Sequence, residues 1–202
     1  MEFLRSNSFA IWPERAGRAL CSAALALLVC VAWPVTLLAQ SGHAEYDVKA
    51  AFLFSFTKFV EWPGSAFADA RAPVVMGIIG EDPFSGGLSR IVDGQVVQGR
   101  GIIVRRHQFG DDLRSCQVLF VSASERARVP QILASLQGSG VLTVSDLDGF
   151  AAAGGVMQFV MEESRVRFLI NLDAALQAKL RINSKLLALA HVVNRADVRG
   201  TN

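Results

Sequence analysis

The chain has 202 residues, of which 51% are hydrophobic and 19% charged, and its formal charge at pH 7 is +2. Without the three arginines and two glutamates among the first 39 residues, the formal charge is +1. Nucleic-acid binding needs a strongly basic surface, which a nearly neutral chain does not supply. Nucleic acid is therefore not expected as a partner.

Residues 1–39 have the layout of a secretory signal peptide. Three arginines precede an apolar run from Ala19 to Leu38, and small and polar residues follow it. Cleavage is expected after Ala39, or as late as Ala44, and would leave the protein in the periplasm. The run is also long enough to span a bilayer, so an uncleaved anchor is the alternative.

About 160 residues follow the predicted signal peptide, which is the size of a single domain with a core of its own. We place this domain at residues 45–193 and a tail at residues 194–202. Cys116 is the single cysteine in this part of the chain, because Cys21 and Cys30 lie in the signal peptide. Cys116 opens the apolar run "CQVLFVS" and is expected to be buried, without a disulfide inside the chain.

Catalytic and metal-site patterns are weak in this sequence. The three histidines lie far apart, and neither CxxC nor HExxH occurs, so no metal or other cofactor is predicted. Cys116 as a nucleophile with His107 as its base is disfavoured, because reactive thiols need an accessible, electropositive setting. The protein is not expected to be an enzyme.

The stretch "YDVKAAFLFSFTKFVEWP", Tyr46 to Pro63, predicts an amphipathic helix that ends at Trp62-Pro63. Its apolar stripe consists of Phe52, Leu53, Phe56, Phe59 and Val60. Phe54 lies on the opposite face with Asp47 and Lys58. Either another element covers Phe54, or Phe54 and Lys58 bind a partner or a second copy.

Strands and short helices alternate after this helix. The strands are "APVVMGII", "GIIVRRH", "CQVLFVS" and "VLTVS", and the helices are "GLSRIVDG" and "RVPQILASLQ". This alternation predicts an α/β fold with a mostly parallel sheet flanked by helices. "VMQFVMEESRVRFLI" predicts a hairpin that makes the sheet mixed at one side. The tail "NLDAALQAKLRINSKLLALAHVV" is predicted to be helical, with Leu180, Leu186, Leu187 and Ala190 as its packing stripe.

Polar residues follow three of the predicted parallel strands. Because the carboxyl ends of such strands meet at one edge of the sheet, these loops could form one small-molecule site. Alternatively, they are polar because loops face water and cap helices. The candidate ligand-binding residues are Glu81, Asp82, Ser122, Ser124, Ser145 and Asp146.

Arg165 and Arg167 alternate with apolar residues in the last predicted strand, as in a strand with one wet face. This face is either simply solvated or a cationic strip that meets an acidic partner or ligand.

Several of these motifs together resemble the YfiR-like family of periplasmic regulators. The resemblance runs from about Tyr46 to Val193 and rests on the opening helix, "GEDPF", "GRGIIVRR", "CQVLFVS", "LTVSDLDGFAAAGGVMQFV", "VRFLIN" and the leucine-rich tail. It implies a secreted, non-enzymatic α/β domain that acts by contact.

The resemblance also implies partners. Family members repress an inner-membrane diguanylate cyclase through its periplasmic sensor part, so cyclic di-GMP stays low. A sensor kinase is an alternative partner. An OmpA-like outer-membrane lipoprotein is expected to sequester the regulator. The protein is also expected to form a homodimer. Members often pair the cysteine at the position of Cys116 with one on the preceding strand, but this chain reads "VVMGIIG" there. The competing hypothesis is a periplasmic sensor that binds a small metabolite.

Overall fold

A computed structural model describes residues 43–193 of the protein. The predicted signal peptide, residues 1–39, and the predicted tail, residues 194–202, lie outside these residues. Across the described range, no helix is both long enough and apolar enough to cross a membrane.

The described residues form ten strands, five α-helices and three short 3-10 helices. The strands are β1 (Val60–Glu61), β2 (Val74–Ile79), β3 (Val96–Val97), β4 (Arg100–His107), β5 (Val118–Val121), β6 (Leu142–Ser145), β7 (Met157–Glu162), β8 (Arg165–Asn171), β9 (Arg181–Ile182) and β10 (His191–Val193). The helices are α1 over residues 43–59, α2 (Gly87–Val92), α3 (Val129–Ser135), α4 (Leu172–Gln177) and α5 (Ser184–Leu187).

Eight of the strands build one mixed sheet in the order β10-β8-β7-β6-β5-β2-β4-β3. The five strands from β7 to β4 in this order are parallel, while β8 runs antiparallel to β7 and β3 runs antiparallel to β4. This confirms the predicted α/β class, the mostly parallel sheet and the β7–β8 hairpin that makes it mixed.

Helix α1 packs on one face of the sheet through its phenylalanines. The fully buried ring of Phe56 has its centroid 5.8 Å from that of Phe159 on β7 and 5.1 Å from that of Phe168 on β8. Burial of a side chain this large contributes roughly 1.5–3 kcal/mol to folding. The whole predicted stripe joins this core: Phe52, Leu53, Phe56, Phe59 and Val60.

The second core lies on the other face of the sheet, beneath α3. Ile132 of α3 packs with residues of β5 such as Leu119 and Val121, and Cys116 belongs to the same cluster. Cys116 is 1% exposed and is a free thiol, which confirms the prediction that it is buried.

Helix α1 ends at Phe59, so the predicted end at Trp62-Pro63 is wrong. Val60 and Glu61 instead form β1, which pairs with β9 near the other end of the domain. The carbonyl oxygen of Phe59 accepts a hydrogen bond from the backbone N–H of Asn183 at 2.9 Å. Long-range pairing thus ends the helix before the proline does.

The prediction of a helical tail is also wrong in part, because two short helices and two strands replace a continuous helix. Lys179 adopts a left-handed conformation with φ of 58°, just beyond the end of α4. The side chain of Asn183 accepts a hydrogen bond from the backbone N–H of Lys185 and so caps the N-terminus of a new helix, α5. Leu180 and Leu186 are buried in the core as predicted, while Leu187 and Ala190 pack against it as partly buried side chains.

Candidate functional site

The carboxyl edge is the edge of the sheet at which β2, β5 and β6 end, and it consists of residues 80–82, 122–125 and 145–148. Helix α2 follows β2 and places Leu88 in the core beneath α1, whereas α3 follows β5 and places Ile132 in the other core. The adjacent strands β2 and β5 therefore send their helices to opposite faces. Such a switch point is where open α/β sheets bind ligands.

At this switch point the two loops contact each other. The backbone N–H of Glu81 donates a hydrogen bond to Oγ of Ser124 at 3.0 Å. The side chain of Glu125 lies over Gly80, because a Cβ added to Gly80 would be 2.9 Å from Cγ of Glu125. The buried carboxylate of Glu125 accepts a hydrogen bond from Nη1 of Arg128 at 3.0 Å. The crevice is thus occupied by side chains of its own loops.

Asp82 is bound to the neighbouring strand β4. Its Oδ2 accepts hydrogen bonds from Nε and Nη2 of Arg106 at 3.0 and 2.6 Å, and its Oδ1 accepts one from the backbone N–H of Phe84 at 2.9 Å. Charge-assisted bonds of this kind are stronger than neutral ones. Asp82 therefore supports the loop after β2, and both of its carboxylate oxygens already accept hydrogen bonds from the chain.

Ser122 and Ser145 are both buried. Oγ of Ser145 donates to the carbonyl oxygen of Val121 at 2.7 Å and accepts from the backbone N–H of Leu147 at 3.1 Å. The backbone N–H of Ser122 donates to the carbonyl oxygen of Ile79 at 3.1 Å. These serines link the ends of neighbouring strands inside the fold.

Asp146 is covered by the first helix. Its Oδ2 accepts a hydrogen bond from Nζ of Lys49 at 2.6 Å and another from Oη of Tyr46 at 2.8 Å. Nζ of Lys49 also lies 2.6 Å from Oε1 of Glu45, although Lys49 is only 3% exposed. Burial, then the hydrogen bond to Asp146, raises the pKa of Tyr46 well above its usual range. The phenol therefore remains a donor to this carboxylate.

Lys49 and Tyr46 were not among the predicted site residues. Lys49 stands four positions before Leu53, so the helical period places a charged residue on the apolar stripe of α1. A lysine on a core face needs a buried acidic partner, which is the signal that could have pointed to this cluster.

The structure thus brings all six candidate ligand-binding residues to one edge.

Beside the loop after β6, a cavity of about 170 Å³ lies between Arg126, Val129, Leu147, Phe150 and neighbouring residues. Small-molecule sites are commonly about 300–1,000 Å³, so this cavity is smaller than most. Within residues 43–193, no three His, Cys, Asp or Glu side chains are arranged to hold a metal ion.

The candidate partner-binding residues lie on two separate surfaces. Phe54 is half-buried against the core beneath α1, and Nζ of Lys58 lies 4.1 Å from the centroid of its ring. Arg165 and Arg167 are exposed on β8. They alternate with Phe168, which faces α1, so they point from the opposite face of the sheet.

The protein is an α/β domain. Helix α1 covers its carboxyl edge, which is the edge at which open α/β sheets commonly bind ligands. The sequence matches the family DUF4154, described as YfiR/HmsC-like, over residues 46–191. The chain belongs to this family, as the sequence motifs predicted. The family is one of periplasmic regulators and is regulatory rather than catalytic.

No curated protein matches the sequence. Among solved structures, the chain is similar to the ABC domain in complex with L-Trp from Streptococcus pneumonia, with 12% identity and a TM-score of 0.45. The similarity covers 59% of this chain and 55% of that chain.

Proposed function

We propose that the protein is a periplasmic regulator that represses an inner-membrane diguanylate cyclase by binding the periplasmic sensor part of the enzyme. Cyclic di-GMP in the cytoplasm then stays low. The observation that carries this proposal is membership of the YfiR/HmsC-like family over residues 46–191, nearly all of the described domain. Sequestration by an OmpA-like outer-membrane lipoprotein, and a homodimeric state, belong to the same proposal.

The state of the carboxyl edge supports regulation by protein contact over the binding of a small metabolite. Asp82, Ser145 and Asp146 bond to other groups of the chain, and Ser124 accepts a backbone hydrogen bond. In the closed arrangement of this edge, a metabolite cannot bind without displacing these contacts. The side chains of Arg165 and Arg167, in contrast, are exposed on β8 and present positive charge to an acidic partner surface.

A charge-reversal experiment tests the proposed contact. The double variant Arg165→Glu and Arg167→Glu should release the cyclase from a pull-down of envelope extract, and it should raise cyclic di-GMP as deletion of the gene does. The matched control, Lys179→Glu with Lys185→Glu, makes the same change in charge at two other exposed residues and should behave like wild type.

Two outcomes would count against the proposal. If deletion leaves cyclic di-GMP unchanged in a strain that carries the partner cyclase, repression is wrong. If deletion raises the nucleotide while both double variants still repress, the function stands and the arginine surface is wrong.

A further inference from the structure

We propose that the latch, residues 43–49 at the start of α1, opens as a unit from the carboxyl edge, and that the uncovered edge binds an organic cation such as a primary amine. The inference concerns the domain itself and does not depend on the identity of its regulatory partner.

The latch is held by one polar cluster. The ammonium group of Lys49 contacts Asp146 and Glu45, each at 2.6 Å, and lies 4.3 Å from the centroid of the Tyr46 ring. The hydroxyl group of Tyr46 donates to the same oxygen of Asp146. These contacts join the start of the helix to a loop about half the chain away, since Lys49 and Asp146 are 97 positions apart in sequence.

Apolar burial does little to hold the latch. None of residues 43–48 is buried, and Val48 is 45% exposed. The half-buried ring of Tyr46 meets Phe84 edge-on, with the centroids 5.6 Å apart. From Ala50 onward the helix is different, because Leu53 and Phe56 are fully buried.

This difference sets the order in which the helix detaches. Attraction within a buried ion pair is largely offset by the loss of hydration, so such a pair adds little net stability. Segments with few buried apolar contacts open locally at a lower free energy than the core does. The latch therefore opens while residues 53–57 stay packed on the sheet.

Opening the latch removes both donors from the carboxylate of Asp146. Opening also uncovers the ring of Phe84, because Asp146 and Phe84 both contact Tyr46 in the closed latch, and that ring packs 4.9 Å from the ring of the buried Phe120. A carboxylate together with an aromatic ring recognises ammonium groups through charge and cation–π attraction. Because Lys49 and an external amine compete for one carboxylate, a bound amine favours the open state.

Hydrogen exchange of the wild-type protein in increasing urea tests the opening without any substitution. Amides of residues 47–50 should exchange by a local opening that is insensitive to urea, at least about tenfold faster than amides of residues 53–57. Equal rates and equal urea dependence in the two segments would show that α1 opens only as a whole, and would overturn the latch.

Two substitutions test the cluster. Lys49→Met should accelerate exchange at residues 47–50 by at least about tenfold, because the partly buried carboxylate of Asp146 loses its charged donor, while residues 53–57 stay protected. Tyr46→Phe removes one hydrogen bond and should give a smaller acceleration. The control is Lys58→Met, an exposed lysine of the same helix, which should leave the latch unchanged. If Lys49→Met unfolds the whole domain, the Tyr46→Phe variant is the test. The proposal is then overturned if Tyr46→Phe does not accelerate hydrogen exchange at residues 47–50.

The ligand class is tested with n-butylammonium chloride against sodium chloride at the same concentration. The amine should speed exchange at residues 47–50 of the wild-type protein, and the Asp146→Asn variant should show no difference between the two salts. Identical effects of both salts on wild type would overturn the cation site and leave the latch itself standing.

Discussion

Sγ of Cys116 occupies the space that a side chain at Gly77 would need. A Cβ added to Gly77 would lie 2.7 Å from this sulfur, 2.9 Å from Cδ1 of Leu119 and 3.2 Å from Cδ2 of His107. The sulfur also lies 3.3 Å from Nε2 of His107. Glycine in the middle of β2 thus makes room for a buried thiol that lies just before the neighbouring strand β5.

Gly77→Ala should destabilise the domain by about 1–3 kcal/mol, because the added methyl group overpacks a filled core. The measurement is urea unfolding of the wild-type protein and the variant. Adding Cys116→Ala to Gly77→Ala removes the nearest obstructing atom, so the double variant should lose less than the two single losses added together. Strict additivity would mean that the thiol does not limit the space at Gly77.

The thiol of Cys116 should make the stability depend on pH. Burial is the main cause that raises the pKa of this group from 9.0 to about 11 in the folded protein. Above about pH 9 the unfolded chain releases the proton and the folded chain keeps it, so this contribution to stability is complete below pH 9 and is lost as the pH rises toward 11. The slope is about 1.4 kcal/mol per pH unit within this window.

The measurement is the free energy of unfolding at about pH 8 and about pH 10 for wild type and Cys116→Ala. Other titrating groups are common to both proteins, so the difference between them isolates the thiol. Wild type should lose more stability than the variant over this interval. Parallel pH profiles would show that the thiol is not desolvated in the folded protein.

Phe54 and Phe56 should respond differently to truncation. Phe56→Ala should cost roughly 3–5 kcal/mol of stability, because this ring is fully buried between α1 and the sheet. Phe54→Ala should cost less, since the ring is only half-buried. If Phe54 is a partner anchor, the variant also loses at least about 2 kcal/mol of binding free energy.

Thermal unfolding and a binding assay with the partner separate these effects, and Phe56→Ala is the internal control. Equal losses of melting temperature in the two variants would remove Phe54 as a partner anchor. The contact would then be sought first at Arg165 and Arg167.

The protein should be exported and its leader removed. Fractionation of cells followed by mass spectrometry should find a periplasmic chain that begins after Ala39 or as late as after Ala44. A full-length chain in the cytoplasm, or one held in the inner membrane with residues 1–39 intact, would contradict this expectation.

Local patterns in the sequence predicted much of the fold. The alternation of short strands and helices predicted the parallel sheet, and two apolar runs around a charged turn predicted the β7–β8 hairpin. The 3.6-residue period predicted which side of α1 carries Phe56. These features follow from residues that are close in sequence and share one face of an element.

Features that depend on distant residues were missed. The tail has the composition of a helix, but β9 pairs with β1 at the other end of the domain. The rule that parallel strands end at one edge left open whether the polar loops meet there, and the loops after β2 and β5 contact each other through Glu81 and Ser124. That rule could not show that α1 crosses this edge and places Lys49 on Asp146.

The pairing of β1 with β9 has a consequence for the time course of folding. The end of α1 is fixed by residues near the C-terminus of the described domain, through Val60 with Ile182 and the Phe59 carbonyl with Asn183. Contacts between residues so far apart in sequence slow folding, because a long loop must close before they form. A ribosome-bound or partly translocated chain that still lacks β9 cannot make them. Helix α1, the first of the described helices to be synthesised, is therefore among the last to be completed.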